Sequence, residues 1–399
     1  MIPSIDAPIF KFLSFASLVL LVGTGLYARY LEPRAADAAL FKRLQWLGAG
    51  VLVAGSLLDI GFTAIRALGE LTPYLYGAYL TRTWNGQWVL LRVVLTALVV
   101  WLALKPKAEL ELIPKVPVVL SDRVLHALLS GLLLLTVSMT SHVGARGEPL
   151  PIVGDWLHLT AMLAWVSAVL YTALYRFQNP RDGVNAVERV SSIGVLSVGL
   201  LALTGVYAGL VRLWAPELLT ITQYGQTLVL KIALVAVTLI VAGFNRWLWL
   251  PMLRRIPSRF PRFQRVLGLE AVMLAAILAT TGALGTTAPP ERGAGLKEVV
   301  PFNQTKNGYT LEGTANPTAL GGVRLEFRIT DPSGKPVPDD AQIKTALDMS
   351  SHGMSALPLP LERLPNGELA ANGFFGMTGD FDAMISIPEA SWRVTLPSR

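Results

Sequence analysis

The sequence predicts an all-α integral membrane bundle of eight transmembrane helices, followed by a small all-β, sandwich-like extracytoplasmic domain. Long apolar runs fill most of residues 9–288, basic residues collect in alternate gaps between these runs, and the composition changes near residue 289. Hydrophobic residues make up 52% of the chain, charged residues only 15%, and mean hydropathy is +0.50. This balance is typical of a membrane protein rather than of a soluble domain.

The apolar runs are each about as long as a helix that crosses the bilayer. They cover residues 9–28, 45–65, 86–104, 124–141, 156–175, 191–211, 226–249 and 266–287. A hydrocarbon core of roughly 30 Å needs about 20 helical residues. Because hydrocarbon offers no hydrogen-bond partners, the backbone of each run must satisfy its own amides, and we expect helices.

The gaps between the runs predict the orientation, since Lys and Arg are retained on the cytoplasmic side. The odd-numbered gaps hold Arg29, Arg34, Lys42, Arg43; Lys105, Lys107, Lys115, Arg123; Arg176, Arg181, Arg189; and Arg254, Arg255, Arg259, Arg262, Arg265. We therefore expect the odd gaps inside and both termini outside. The net charge of +7 is divided among short loops, so it predicts a lipid environment and no nucleic-acid partner. The first run lacks a cleavage signal and is interpreted as a retained helix.

The chain changes character after the last apolar run. We predict a transmembrane domain over 1–288, a linker over 289–298 and a β-domain over 299–399. Alternating apolar and polar residues predict strands at 309–313, 323–329, 383–387 and 392–396. Asp-Pro-Ser-Gly-Lys at 331–335 and Asn-Gly at 366–367 predict turns. About a hundred residues of this kind are typical of a small β-sandwich.

Two histidines fall at neighbouring helix ends near the predicted outer face. His142 ends the fourth run and His158 begins the fifth, with a loop over 143–157 between them. Met139 and Met162 lie three and four residues away, on the same helix faces as their histidines. The chain has no cysteine, and imidazole with thioether suits Cu(I). The alternative is that the histidines are interfacial and the methionines only pack.

The β-domain has a second group of soft donors. Met349, His352 and Met354 occur within six residues, and Met377 follows later in the domain. On an extended segment His352 and Met354 would share one face. A soft-metal site and an ordinary surface loop both remain open.

Ionisable residues within the apolar runs are costly unless they face a partner or a pathway. Asp59 and Arg92 fall in the outer halves of the second and third runs, where they would pair. Lys231 follows the sixth gap and would extend outward to the interface. Gly23 and Gly25 occur inside the first run, where close helix packing is expected.

His126 lies sixteen residues before His142, about 24 Å along a helix. This spacing raises the alternative of two haems in a cytochrome b arrangement, although the inner haem would have no second histidine. No phosphate-binding loop, zinc-protease motif or nucleophile–base arrangement is present in the sequence, and we expect no enzyme.

Several segments resemble the CopD family of bacterial copper-transport proteins. They are SHVGA at 141–145, DWLHLTAMLAWV at 155–166, TGVY at 204–207, YGQTLVLK at 224–231, FNR at 244–246 and LP at 250–251. Ser141 and Ser167 replace glycines that are common in the family, and neither change removes a candidate ligand. The C-terminal part, from DPSGKPV at 331–337 to FGMTGDF at 375–381, is similar to the small YtkA-like β-domain.

The resemblance implies a copper transporter of the bacterial inner membrane, commonly described for this family as uptake. The β-domain would capture copper outside, and His142 and His158 would receive it with help from Met139 and Met162. Asp59, Arg92, Trp165 and Lys231 are candidates for the passage inward. Copper, with Cu(I) favoured, is the expected ion, and a periplasmic copper-binding protein is a candidate partner. A metallochaperone for a respiratory oxidase and a haem-based electron carrier are the alternatives. The sequence leaves direction, driving force and oligomeric state undetermined.

Overall fold

The computed structural model describes residues 6–37, 39–68, 72–104, 122–141, 144, 148–287, 289–291, 293–338, 341–349, 354–375 and 378–399. The chain divides into two compact units. One contains residues 6–209 and 230–286 and is helical. The other contains residues 210–229 and 287–399 and includes all the strands.

The helices follow the apolar runs in order. They are α1 Asp6–Leu18, α2 Thr24–Leu26, α3 Ala39–Leu68, α4 Pro73–Arg82, α5 Trp84–Leu104, α6 Asp122–Met139, α7 Pro149–Leu174, α8 Pro180–Arg212, α9 Leu218–Ile221, α10 Gln223–Phe244, α11 Leu250–Arg255 and α12 Phe260–Leu284. Segments of π-helix at Val19–Gly23, Tyr27–Leu31 and Asn245–Trp249 and 3₁₀ turns at Pro33–Asp37 and Pro257–Arg259 join neighbouring helices.

Seven helical segments of the described chain are long and apolar enough to cross a membrane. They are Pro8–Leu31, Ala39–Phe62, Trp84–Ala103, Pro149–Leu174, Pro180–Arg212, Gln223–Arg255 and Pro257–Leu284. The predicted fourth run is also helical, but its described apolar part, Arg123–Met139, is shorter. A multi-pass membrane protein is therefore confirmed, whereas eight spanning helices are not.

The helix of the fifth apolar run, α7, begins earlier than predicted. The sequence predicted a loop over 143–157, but α7 begins at Pro149 and includes Asp155 and His158. Proline suits the first helical position, because its fixed φ is helical and its missing N–H has no partner there. His158 therefore lies nine residues inside α7 and not at its start.

The first spanning segment packs closely against two neighbours. A Cβ atom at Gly23 would collide with the hydroxyl of Ser167 on α7, and a Cβ atom at Gly25 would collide with the ring of His126 on α6. The hydroxyl of Tyr171 on α7 also donates to the carbonyl of Val19, at 2.8 Å. The predicted role of these glycines in close helix packing is confirmed.

Gaps that were predicted to share one side of the membrane do meet. Arg34 of the first gap pairs with Asp182 of the fifth at 2.8 Å. Arg254 of the seventh gap pairs with Glu188, near the end of the fifth, at 2.7 Å. Exposed ion pairs of this kind add little stability. Their value here is geometric, because they show that alternate gaps lie at one end of the helical unit.

The β-domain is built from two antiparallel sheets. Its strands are β1 Val300–Lys306, β2 Tyr309–Pro317, β3 Gly322–Thr330, β4 Lys344–Met349, β5 Met354–Pro358, β6 Leu361–Arg363, β7 Leu369–Phe374, β8 Gly379–Ser386 and β9 Ser391–Ser398. The strand orders are β1-β2-β3-β7-β6 and β5-β4-β8-β9. The predicted strands are confirmed, and their inward-facing residues, among them Leu311, Phe327 and Trp392, form one apolar core.

The predicted turns are also present. Asp331 accepts hydrogen bonds from Ser333 and from the backbone of Lys335, which hold the pKa of its carboxyl below the usual value. Leu364 and Glu368 pair across the Asn-Gly turn at 2.8 Å. Part of the segment predicted as a linker packs into the domain, because Ala294 and Leu296 are buried in its core.

Candidate functional site

His158 is held in one orientation by a residue of the next helix. Its Nδ1 atom lies 2.8 Å from the hydroxyl oxygen of Thr204 on α8. That hydroxyl lies 2.7 Å from the carbonyl oxygen of Leu200 and donates to it. Because the threonine proton is thus used, its oxygen accepts from His158, and we assign the ring proton to Nδ1. The Nε2 atom then carries the lone pair that a metal ion needs.

This arrangement brings together two of the sequence segments that carry the family resemblance. A Cβ atom at Gly205 would lie 3.7 Å from Cε1 of His158, and one at Gly154 would lie 3.9 Å from the ring of Tyr207. The segment 155–166 on α7 therefore faces the segment 204–207 on α8. Thr204 acts through His158, as the second hydrogen-bond partner of a metal-binding histidine commonly does.

The two predicted methionines occupy different environments. Met162 is 9% exposed and belongs to the apolar core, one turn after His158. Met139 is the last residue of α6 and is half-buried. Gly144 packs directly on the backbone of Met139, with no room for a Cβ atom. His142 lies outside the described residues.

The indole of Trp156 ties α7 to α6. Its Nε1 atom donates to the carbonyl of Gly131 at 2.8 Å, and its backbone carbonyl accepts from Thr160 at the same distance. Helix α7, with His158, is thus held beside α6, which ends at Met139.

Arg92 is buried and joins three helices. Its guanidinium donates to Ser56 on α3 at 3.1 Å, to the hydroxyl and carbonyl of Thr136 at 3.1 and 2.8 Å, and to Thr140 at 2.7 Å. A guanidinium has donors but no lone pair. Arg92 therefore cannot bind copper, and any effect it has on a pathway comes from its charge and its positioning of the helices.

Asp59 lies beside Arg92 at a small internal space. Both line a cavity of about 40 Å³ together with Asn85 and Thr140, a volume that holds a water molecule. Asp59 acts electrostatically on Arg92. It also acts on Lys11 of α1, as Asp155 does, so four charged residues from four helices are grouped in this part of the bundle.

The sequence did not identify Lys11, Asp155 or Thr204 as functional residues. Lys11 was not considered, although it lies within the first apolar run, and Asp155 fell within the loop predicted over 143–157. For Lys11 and Asp155, the signal in the sequence was an ionisable side chain within or beside an apolar run, which is costly unless it has a partner or a function. Thr204 was part of a recognised motif, but its contact with His158 spans 46 positions.

The other predicted pathway residues are spread over the bundle. Trp165 is 5% exposed in the apolar core, with its ring about 3.7 Å from where a Cβ atom of Gly194 would lie. Lys231 is half-buried on α10. Neither residue is placed at His158 by a contact that the structure describes.

In the Met/His segment of the β-domain, β4 ends at Met349 and β5 begins at Met354. The Cα atoms of Met349 and Met354 are direct partners where β4 pairs with β5. His352 lies in the connection between these strands, and it and Met377 are outside the described residues. Within the described part of the chain, no three His, Asp or Glu side chains form a metal-binding group.

Two parts of the chain match models of known families. Residues 4–150 match the family model for the copper resistance protein D-like N-terminal domain. Residues 184–284 match copper resistance protein D. The chain carries the domains of the copper resistance protein D family. The second match covers the helix with Thr204 and the segments 224–231 and 244–246. Both matched ranges end before the β-domain, whose likeness to YtkA stays a prediction.

Two bacterial proteins are similar to this chain. The copper transport protein CutJ of Bacillus subtilis (strain 168) is 27% identical over 220 residues, 53% of this chain and 39% of CutJ. This chain thus spans about two fifths of the length of CutJ. The inner membrane protein YebZ of Escherichia coli (strain K12) is 27% identical over 301 residues, 70% of this chain and 97% of YebZ. No solved structure matches this chain.

Proposed function

We propose that this protein transports copper, as Cu(I), across the bacterial inner membrane, and that His158 is a copper ligand in the outer half of the bundle. The observation that carries the proposal is the hydrogen bond from His158 to Thr204, which holds the imidazole ring of a candidate ligand in one orientation. The copper resistance family domains and the similarity to a protein named for copper transport support copper as the cargo.

The β-domain would bind copper first, outside the membrane. His352, Met354, Met349 and Met377 are its soft donors, and the pairing of β4 with β5 brings two of their backbone positions together. The ion would then pass to His142 and His158, with thioether donors from Met139 and Met162. Imidazole and thioether bind Cu(I) in preference to hard cations.

Passage inward, in the direction of import, would use the polar interior of the bundle. Asp59 offers a negative charge beside a water-sized cavity, and the charge of Arg92 limits how far a cation can approach there. Trp165 and Lys231 remain candidates for the route. The sequence has no ATP-binding element, so a gradient or trapping of copper inside would drive the movement.

Cu(I) flux into proteoliposomes tests this function. We expect flux with the unaltered protein and none above protein-free vesicles with His142→Ala/His158→Ala. The single variant His158→Met keeps a soft donor at this position and should therefore retain part of the flux. The variant His352→Ala separates capture by the β-domain from passage, because it should lower flux at limiting copper more than at saturating copper. Unchanged flux in the double variant would refute the site.

The same preparation distinguishes the alternatives. Copper binding without flux, together with loss of oxidase copper in cells that lack the protein, would support a metallochaperone. A Soret band in the purified protein would support a haem-based electron carrier, because haem absorbs strongly where Cu(I) does not.

A further inference from the structure

Helix α6 has an unusual concentration of buried polar atoms that make no hydrogen bond. In the described part of the chain, nine buried side-chain nitrogen and oxygen atoms lack a partner, and four of them are on α6. They are both ring nitrogens of His126 and the hydroxyl oxygens of Ser130 and Ser138. Polar groups buried in a dry apolar interior are costly, so such atoms usually contact water or an ion.

These three residues lie on one ridge of the helix, and the buried Leu134 lies between Ser130 and Ser138 on the same ridge. Their spacings of four and eight positions follow the ridge that residues at multiples of four make on a helix surface. From Ser138 to His126 the row covers about 18 Å of depth. Thr136 and Thr140, which bind Arg92, lie two positions before and after Ser138 and therefore on a different face of α6. We call His126, Ser130 and Ser138 the α6 polar row.

Neighbouring helices add unpartnered atoms near the same depth. The hydroxyl of Thr96 lies one turn inward from Arg92 on α5 and has no partner. The hydroxyl of Ser167 on α7 is packed against Gly23 and has none. Both helices pack on α6. Buried polar atoms without a partner therefore occur on α5 and α7 as well as on α6.

His126 is the residue of the row that is best suited to bind a soft metal ion, because its side chain is an imidazole. It is fully buried, its Nε2 atom lies against Gly25, and Arg29 is the charged residue that acts on it electrostatically. Arg29 itself donates to the carbonyl of Leu102, at the end of α5. A buried imidazole with no carboxylate acting on it is neutral, so one ring nitrogen keeps a lone pair that suits a soft metal ion.

We propose that the α6 polar row lines a hydrated route for copper through the helix bundle, with His126 as its inner metal-binding residue. This inference rests on the proposed copper transport and extends it, because it names the path between the outer site and the inner side. Gly25 is required at this point, since any side chain there would occupy the space of the imidazole.

Thiol labelling tests the hydrated route. The chain contains no cysteine, so Ser130→Cys and Ser138→Cys each introduce a single thiol of nearly the same size. Ala168→Cys is the control, because Ala168 is 1% exposed within the apolar core. We expect a small hydrophilic thiol reagent to label both row variants in the folded protein. The control should react at least about tenfold more slowly, because it must first be exposed by local unfolding. Row variants that label as slowly as the control would overturn the route.

Copper binding tests the role of His126 separately from transport. Competition with a chromophoric Cu(I) chelator should show that His126→Gln loses one bound Cu(I), while His126→Met keeps it. Gly25→Ala should weaken this binding, whereas Gly50→Ala, which has nothing within 4 Å, should not. Unchanged stoichiometry and flux in His126→Gln would overturn the assignment. If the row variants label and the unaltered protein binds Cu(I) as expected, but the unaltered protein shows no flux, transport would be refuted and the hydrated row would remain.

Discussion

At the scale of single residues, the candidate site depends on a hydrogen bond that fixes a histidine. The Thr204 hydroxyl donates to Leu200 and accepts from Nδ1 of His158, so the ring cannot rotate without losing a buried interaction. A metal ligand held in this way binds with less loss of side-chain freedom. Thr204 is therefore a positioning residue, and copper affinity should depend on it although it binds no copper.

The variant Thr204→Val tests this role. Valine keeps the shape but removes the acceptor, and we expect the affinity of the outer site for Cu(I) to fall by about 10-fold to 100-fold, the usual effect of losing such a partner. Titration against a Cu(I) chelator measures it. Thr238→Val is the matched control, because that buried hydroxyl bonds only to a carbonyl of its own helix. Equal affinities of the two variants would contradict the role of Thr204.

At the scale of helices, Arg92 makes α3, α5 and α6 one assembly. A single guanidinium satisfies side chains of α3 and α6 and the carbonyl of Thr136. Because it is 6% exposed, bulk water does not replace these bonds when they are lost. The predicted pairing with Asp59 is present as an electrostatic interaction, but the hydrogen bonds of Arg92 to Ser56, Thr136 and Thr140 could not be inferred from one sequence.

We expect Arg92→Met to destabilise the helical unit by about 3 kcal/mol, since it leaves polar groups and the charge of Asp59 without their buried partner. Thermal unfolding of the detergent-solubilised protein should show a lower Tm. Adding Asp59→Asn should recover part of the loss, because it removes the uncompensated charge. Arg82→Met, at an exposed arginine of α4, should leave the Tm unchanged. A Tm for Arg92→Met equal to that of this control would show that Arg92 does not stabilise the packing of α3, α5 and α6.

At the scale of the whole molecule, the alternating basic gaps and the β-domain define how the protein is expected to lie in the membrane. Contacts between the first, fifth and seventh gaps show that these gaps share one end of the bundle. Which end faces the cytoplasm follows from the positive charge of those gaps. The expected outer position of the β-domain depends on this orientation.

Single cysteines in this cysteine-free chain test the orientation. Ser333→Cys lies in an exposed turn of the β-domain and Ser258→Cys in an exposed turn of the seventh gap. We expect a membrane-impermeant thiol reagent to label Ser333→Cys in intact spheroplasts, and Ser258→Cys only after permeabilisation. The unaltered chain is the blank. The reverse pattern would place the β-domain in the cytoplasm and exclude capture of copper outside.

The sequence by itself determined seven of the eight predicted spanning segments and the predicted strands of the β-domain, because apolar length and alternation are local properties. It misplaced the start of α7, since Pro149 begins a helix where polar residues suggested a loop. Only the tertiary structure decided which residues meet: His158 with Thr204, Arg92 with Thr136, and His126 with Gly25. These contacts join residues far apart in the chain, and they form only when several helices bury their faces together, which one sequence pattern does not encode.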